Sequence, residues 1–134
     1  MTAIAAIIGA SARRSITQRA TAEDPYADED FNRLEDDRSL VVTTPDGVPL
    51  AASEAGPADA PLTLVFVHGF CLQRGAFHFQ RTRLPDQLGS DVRMVFYDQR
   101  GHGRSGETAP ETYTLTQLGK DLQTVLDVVA PRGL

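Results

Sequence analysis

Leu62-Thr63-Leu64-Val65-Phe66-Val67 runs directly into His68-Gly69-Phe70, and thirty residues later Val92-Arg93-Met94-Val95-Phe96-Tyr97 runs into Asp98-Gln99-Arg100-Gly101-His102-Gly103-Arg104-Ser105. Both apolar runs are continuous rather than alternating, the pattern of strands covered on both faces of a parallel sheet. Between them, Gly75 to Leu88 places Phe77, Phe79, Leu84 and Leu88 among polar residues, which predicts a crossover helix broken near Pro85. The unit reads as β-α-β.

Upstream, Leu40 to Thr44 is β-branched and strand-like, Pro45-Asp46-Gly47 is strong turn chemistry, and Val48 to Ser53 can return as the second arm of a hairpin. Structure is expected to begin near residue 39, with Gly56 to Pro61 as a loop. Downstream, Leu115, Leu118, Leu122, Val125, Leu126 and Val129 recur on one face of a helix, with Thr114 and Gln117 as a capping box and Pro131 with Gly133 as the stop. The fold class is therefore α/β: an N-terminal β-hairpin leading into a parallel βαβ unit and a C-terminal amphipathic helix.

Residues 1–38 show no sustained period and read as a poorly ordered tail and acidic linker, leaving 39–134 as the folded portion. Glu23, Asp24, Asp28, Glu29, Asp30, Glu35, Asp36 and Asp37 crowd into residues 23–37 against a single base, Arg33, and self-repulsion should hold this segment open in solvent. The apolar Met1–Ala10 stretch precedes Arg13, Arg14 and Arg19, the reverse of a signal peptide's order. Ten helical residues reach about 15 Å, half of a hydrocarbon core. Residues 1–20 can thus touch a membrane surface but not span one as a helix.

A length of 134 residues limits the chain to one domain. A net charge of -5 gives no basic footprint, so nucleic acid is not an expected partner. Cys71 is the only cysteine, so no intrachain disulfide can form and a cytoplasmic setting suits the chain.

Two readings of the motifs fail on context. Gly101-His102-Gly103-Arg104-Ser105-Gly106 matches G-x-G-x-x-G, yet Asp98 to Arg100 intervene after the strand and the next helix starts some eight residues later, so no helix N-terminus meets a phosphate. His68, Cys71, Asp98 and His102 are too scattered for a structural zinc site. No metal and no cofactor is expected.

What remains is ligand binding at the carboxyl ends of parallel strands, where both motifs sit. Over about residues 40 to 130 the chain resembles the α/β-hydrolase family, esterase- and lipase-like serine hydrolases, through His68-Gly69-Phe70 after the third strand and Asp98 to Ser105 after the fourth. The resemblance implies hydrolysis of a small ester-like substrate through an acyl-enzyme, without cofactor. It gives Phe70 an oxyanion-hole role through its backbone N–H, with Gly69 letting the backbone approach. Fixed main-chain donors stabilise the charge that develops on the carbonyl oxygen, each worth about 10²- to 10³-fold in rate. His68, Asp98, Arg100, Gly101, Gly103 and Ser105 are expected to organise the loops, and Cys71 to pack as a small side chain.

The family's nucleophile, acid and catalytic histidine follow in that order, and no Gly-x-Ser-x-Gly occurs in the 134 residues. Ser105 lacks that elbow. The resemblance therefore also implies a chain inactive alone: a truncated fragment, a pseudoenzyme or one half of a split protein. His-Gly-Phe-Cys lacks the proline common in the epoxide hydrolase and haloalkane dehalogenase loops, which disfavours those classes, while cofactor-free haloperoxidases share the motifs. With a strand order of 1-2-4-3-5, strand 62–67 would lie uncovered and could template self-association.

Overall fold

The computed structural model describes residues 24–31 and 38–130. The expected membrane-touching tail, the rest of the acidic linker and the Pro131–Gly133 stop lie outside the described residues. The chain divides between Asp30 and Phe31. Before that point, Ala27 and Glu29 donate to the carbonyls of Asp24 and Tyr26 at 3.1 and 3.0 Å, making consecutive turns.

The second unit is a four-stranded sheet in the order β1-β2-β4-β3, with β1 at Arg38–Thr43, β2 at Pro49–Ala55, β3 at Leu62–Val67 and β4 at Val92–Tyr97. β1 pairs antiparallel with β2, β2 antiparallel with β4, and β3 runs parallel to β4. The hairpin, the βαβ unit and both parallel strands fall where the apolar pattern puts them, although β1 starts and ends slightly earlier than the expected strand.

The continuous hydrophobicity of β4 has a direct cause. Val95 and Tyr97 face one layer with Val42, Leu50, Val125 and Val129, while Val92, Met94 and Phe96 face the other with Leu64, Phe66, Phe77 and Leu84. Alternate residues point to opposite faces, so a strand covered on both must be apolar throughout. Helix α1 (His78–Leu88) covers the second layer and helix α2 (Leu115–Val129) the first. On the α1 side Phe66 stacks on Phe96 at 4.7 Å, and the Arg81 guanidinium lies 3.9 Å from the Phe96 ring centre. β3 is only half-buried, with Leu62 and Val67 exposed, because it lies at the end of the described sheet.

Two local expectations need correction. The crossover opens with a 3-10 turn at Arg74–Phe77 and its helix then continues through Pro85 without a break. Pro85 forfeits one intrahelical donor, but Gly89 N–H still bonds the Pro85 carbonyl and closes the last turn. The capping box is only half formed. Thr114 Oγ1 accepts from Gln117 N–H at 3.1 Å, whereas the Gln117 side chain turns to Asp121 and the Thr114 amide bonds the Thr112 carbonyl.

The far end of α2 is held by a residue outside it. Arg93 donates from Nη1 to the Val129 carbonyl at 2.8 Å and from Nη2 to the buried Glu54 at 2.5 Å. Arg38 also pairs with Glu54, so one carboxylate on β2 fixes both neighbouring strands.

Candidate active-site rim

Val67 and Tyr97 are register partners at the carboxyl ends of parallel neighbours, so the loops that follow them leave the sheet on the same side. That is the crevice where open α/β sheets bind ligands. His68, 4% exposed, joins the two loops: its Nε2 accepts from Gln99 N–H at 2.9 Å and its Nδ1 lies 2.9 Å from the Gly69 carbonyl. A carbonyl only accepts, so Nδ1 carries the hydrogen and the ring is neutral. The Gln99 side-chain amide donates back to the His68 carbonyl.

Gly69 to Leu72 form a turn closed by Leu72 N–H to the Gly69 carbonyl at 3.2 Å. Cys71 takes the third position with φ 59, a left-handed conformation that glycine normally supplies in such turns. Its amide donates to His102 Nε2 at 3.3 Å, and its free thiol is exposed. His102 Nδ1 lies 2.9 Å from the Arg100 carbonyl, so this ring too carries hydrogen on Nδ1 and accepts at Nε2. The Phe70 ring, 87% exposed, stands edge-on to His102 at 6.0 Å, and the Phe70 amide bonds to none of the described residues. A Cβ on Gly69 would meet only Leu72 at an ordinary 3.7 Å, so the fold itself does not demand glycine there.

Asp98 organises the second loop from a fully buried position. Oδ1 accepts from Arg74 N–H at 2.7 Å and Oδ2 from Arg104 N–H at 3.0 Å. Gly103 packs so closely on this carboxylate, with φ 52, that a Cβ would overlap it, and a Cβ on Gly101, with φ 69, would overlap the Tyr113 ring. Ser105 Oγ donates to the Asp98 carbonyl at 2.5 Å and accepts from Ala51 N–H at 2.9 Å, which commits the hydroxyl in both directions.

Arg100 turns away from the rim. It is 0% exposed and donates to Asp121 from Nε and Nη2 at 2.6 and 2.7 Å, and to Asp46 from Nη1 and Nη2 at 2.9 and 3.1 Å. The two carboxylates hold its pKa above the ordinary guanidinium value. In return, hydrogen bonds from Arg100 and then Thr44 hold Asp46 down to about 2. Burial, with the negative charge of Asp121, pushes the Tyr97 phenol up to about 12.

The loops thus bring His68, Gly69, Phe70 and Cys71 together with His102, while Asp98, Gly101, Gly103 and Ser105 shape the loop beneath and Arg100 anchors it to α2. Sequence reasoning did not single out Asp46, Asp121 or Arg74. Asp121 was detectable as an acid within the apolar stripe between Leu118 and Val125. Among the described residues no three His, Cys, Asp or Glu side chains converge as metal ligands, and no helix is long and apolar enough to cross a membrane.

A sequence model of the alpha/beta hydrolase family matches residues 64–133, which takes in both strand-tip loops. The chain belongs to that family. Among curated relatives, the chain is 35% identical over 94 residues to the probable oxidoreductase EphD of Mycobacterium tuberculosis, covering 69% of the chain and 15% of that protein. It is 34% identical over 91 residues to 3-oxoadipate enol-lactonase 1 of Acinetobacter baylyi, covering 68% of the chain and 32% of the lactonase. The crystal structure of a putative aryl esterase from Burkholderia cenocepacia matches with a TM-score of 0.61 at 34% identity, covering 69% of the chain and 33% of the esterase. The chain therefore spans a third or less of the length of these relatives.

Proposed function

We propose that this chain supplies the oxyanion-binding side of a serine hydrolase that cleaves ester or related acyl bonds through an acyl-enzyme. The observation that carries the reading is the contrast between two neighbouring amides. His102 occupies the N–H of Cys71, while the N–H of Phe70 has no described acceptor at the exposed rim. A donor fixed by its neighbours and left open is what stabilises a developing oxyanion without reorganisation. Likeness to proteins named as an aryl esterase and an enol-lactonase supports the same bond class.

The chain alone is proposed to be inactive, because its residues include no Gly-x-Ser-x-Gly. Loop dipoles without a nucleophile and base cannot start acyl transfer. A complementing segment would supply both.

The test is a chimera in which residues 38–130 replace the equivalent part of the Burkholderia esterase, assayed on p-nitrophenyl acetate. Phe70→Pro removes the amide hydrogen and should lower kcat by about 10²- to 10³-fold, whereas Phe70→Ala keeps it and should stay within a few-fold. A folded Phe70→Pro chimera as active as its parent refutes the assignment.

A further inference from the structure

Arg74 breaks the usual rule for buried charge. Its side chain is 3% exposed, yet the guanidinium donates no hydrogen bond to any described residue, and Nε is buried without an acceptor. The nearest carboxylate oxygen, Asp98 Oδ2, stands 3.7 Å from Nε and already accepts the Arg104 amide. A buried N–H such as this Nε is normally met by an acceptor, because leaving it dry is costly. Burial lowers the pKa of Arg74; Asp98 raises it, and the positive charge of Arg104 lowers it again.

Both arginines line one open groove of about 400 Å³, whose other walls include Leu40, Val41, Ala51 and Ala52 of the hairpin. Val41 is 65% exposed in it. Asp98, the carboxylate beside Arg74, is already engaged by two amides, and Arg104 adds a second guanidinium to the same groove, so the groove has surplus positive charge and aliphatic surface along its walls. We propose that this groove binds a small aliphatic carboxylate, its head between Arg74 and Arg104 and its tail along Val41 and Ala51. The planar guanidinium fork matches a carboxylate with two parallel hydrogen bonds, and the apolar walls favour an alkyl chain over a bare inorganic ion. The inference does not depend on the acyl-transfer reading and requires no turnover.

Equilibrium dialysis of the whole chain against radiolabelled hexanoate at low salt tests it. A single saturable site is expected, competed poorly by hexanol and by inorganic phosphate. Arg104→Gln should weaken binding about tenfold, Arg104→Lys should retain most of it, and salt should weaken it. Val41→Asp, at an exposed position that leaves both arginines in place, should abolish it. Hexanoate binding that is absent, or unchanged in Arg104→Gln and Val41→Asp, overturns the proposal. So does equal competition by hexanol, while stronger competition by phosphate overturns the choice of a carboxylate.

Discussion

Arg100 and Asp121 lie 21 residues apart and meet in the interior through two N–H···O bonds of 2.6 and 2.7 Å. The pair fixes the loop after β4 to the middle of α2, and Asp46 extends it to the β1–β2 turn. Removing Asp121 leaves the fully buried Arg100 with the half-exposed Asp46 as its remaining counterion, and losing one partner of a buried pair costs up to about 3–5 kcal/mol. Asp121→Ala should therefore lower the urea midpoint steeply or unfold the chain, with loss of helical circular dichroism. An unchanged midpoint would show that the clamp contributes nothing.

Asp46 gives the clamp a pH dependence at its exposed end. Its pKa falls from 3.8 to about 2 on folding, so the folded state binds this proton more weakly than the unfolded chain. The linked stability is fully present above about pH 4 and is lost as pH falls towards 2. Thermal melts of the wild-type chain should decline over that window more than those of Asp46→Asn, which has no proton to gain. Parallel declines would contradict the linkage.

Glycines 103 and 119 should respond to alanine in opposite directions. Gly103 has φ 52 and abuts the Asp98 carboxylate, so Gly103→Ala adds strain to a clash and should cost at least about 1–2 kcal/mol. Gly119 lies within α2 with open space where a Cβ would go, so Gly119→Ala should stabilise by about 0.5–1 kcal/mol. Chemical denaturation of the two variants beside the parent measures both signs.

The elements were legible in the sequence wherever one residue's environment follows from its near neighbours. Val92 to Tyr97 reads as a doubly covered strand because its hydrophobicity is unbroken, and Leu118, Leu122, Val125 and Val129 mark one helical face. Pro85 misled because a proline's cost is local, whereas the helix around it is kept by Leu84 against the Met94–Phe96 layer. Pairings across the fold were not legible. Nothing near Arg100 indicates Asp46 or Asp121, since ion pairing has no sequence period, and the bond from Cys71 to His102 likewise depends on two loops meeting.

Ser105 connects β2 to the loop through the Ala51 amide and the Asp98 carbonyl. Ser105→Ala removes a half-buried hydroxyl, leaves the Ala51 N–H and the Asp98 carbonyl without it, and should destabilise by about 1–2 kcal/mol. In the esterase chimera described above its kcat should stay within a few-fold, because the hydroxyl serves as a brace and not as an attacking group. Loss of turnover in a chimera that still melts cooperatively would place the nucleophile at Ser105 instead.

The open edge of β3 carries the last prediction. We propose that the chain self-associates there. Among the described residues β3 pairs with β4 on one side only, and its Leu-Thr-Leu-Val-Phe-Val sequence has no charge to blunt the other edge. Leu62 and Val67 are 49% and 42% exposed at its two ends. An uncharged apolar edge with unpaired N–H and C=O groups is a template for another strand, and lysines are the usual protection against that. Sedimentation velocity should show larger species growing with concentration, and Leu62→Lys combined with Val67→Lys should shift the distribution towards monomer. Because both side chains are exposed, the double variant should lose little stability. If it instead sediments as the parent does, the contact lies elsewhere on the molecule.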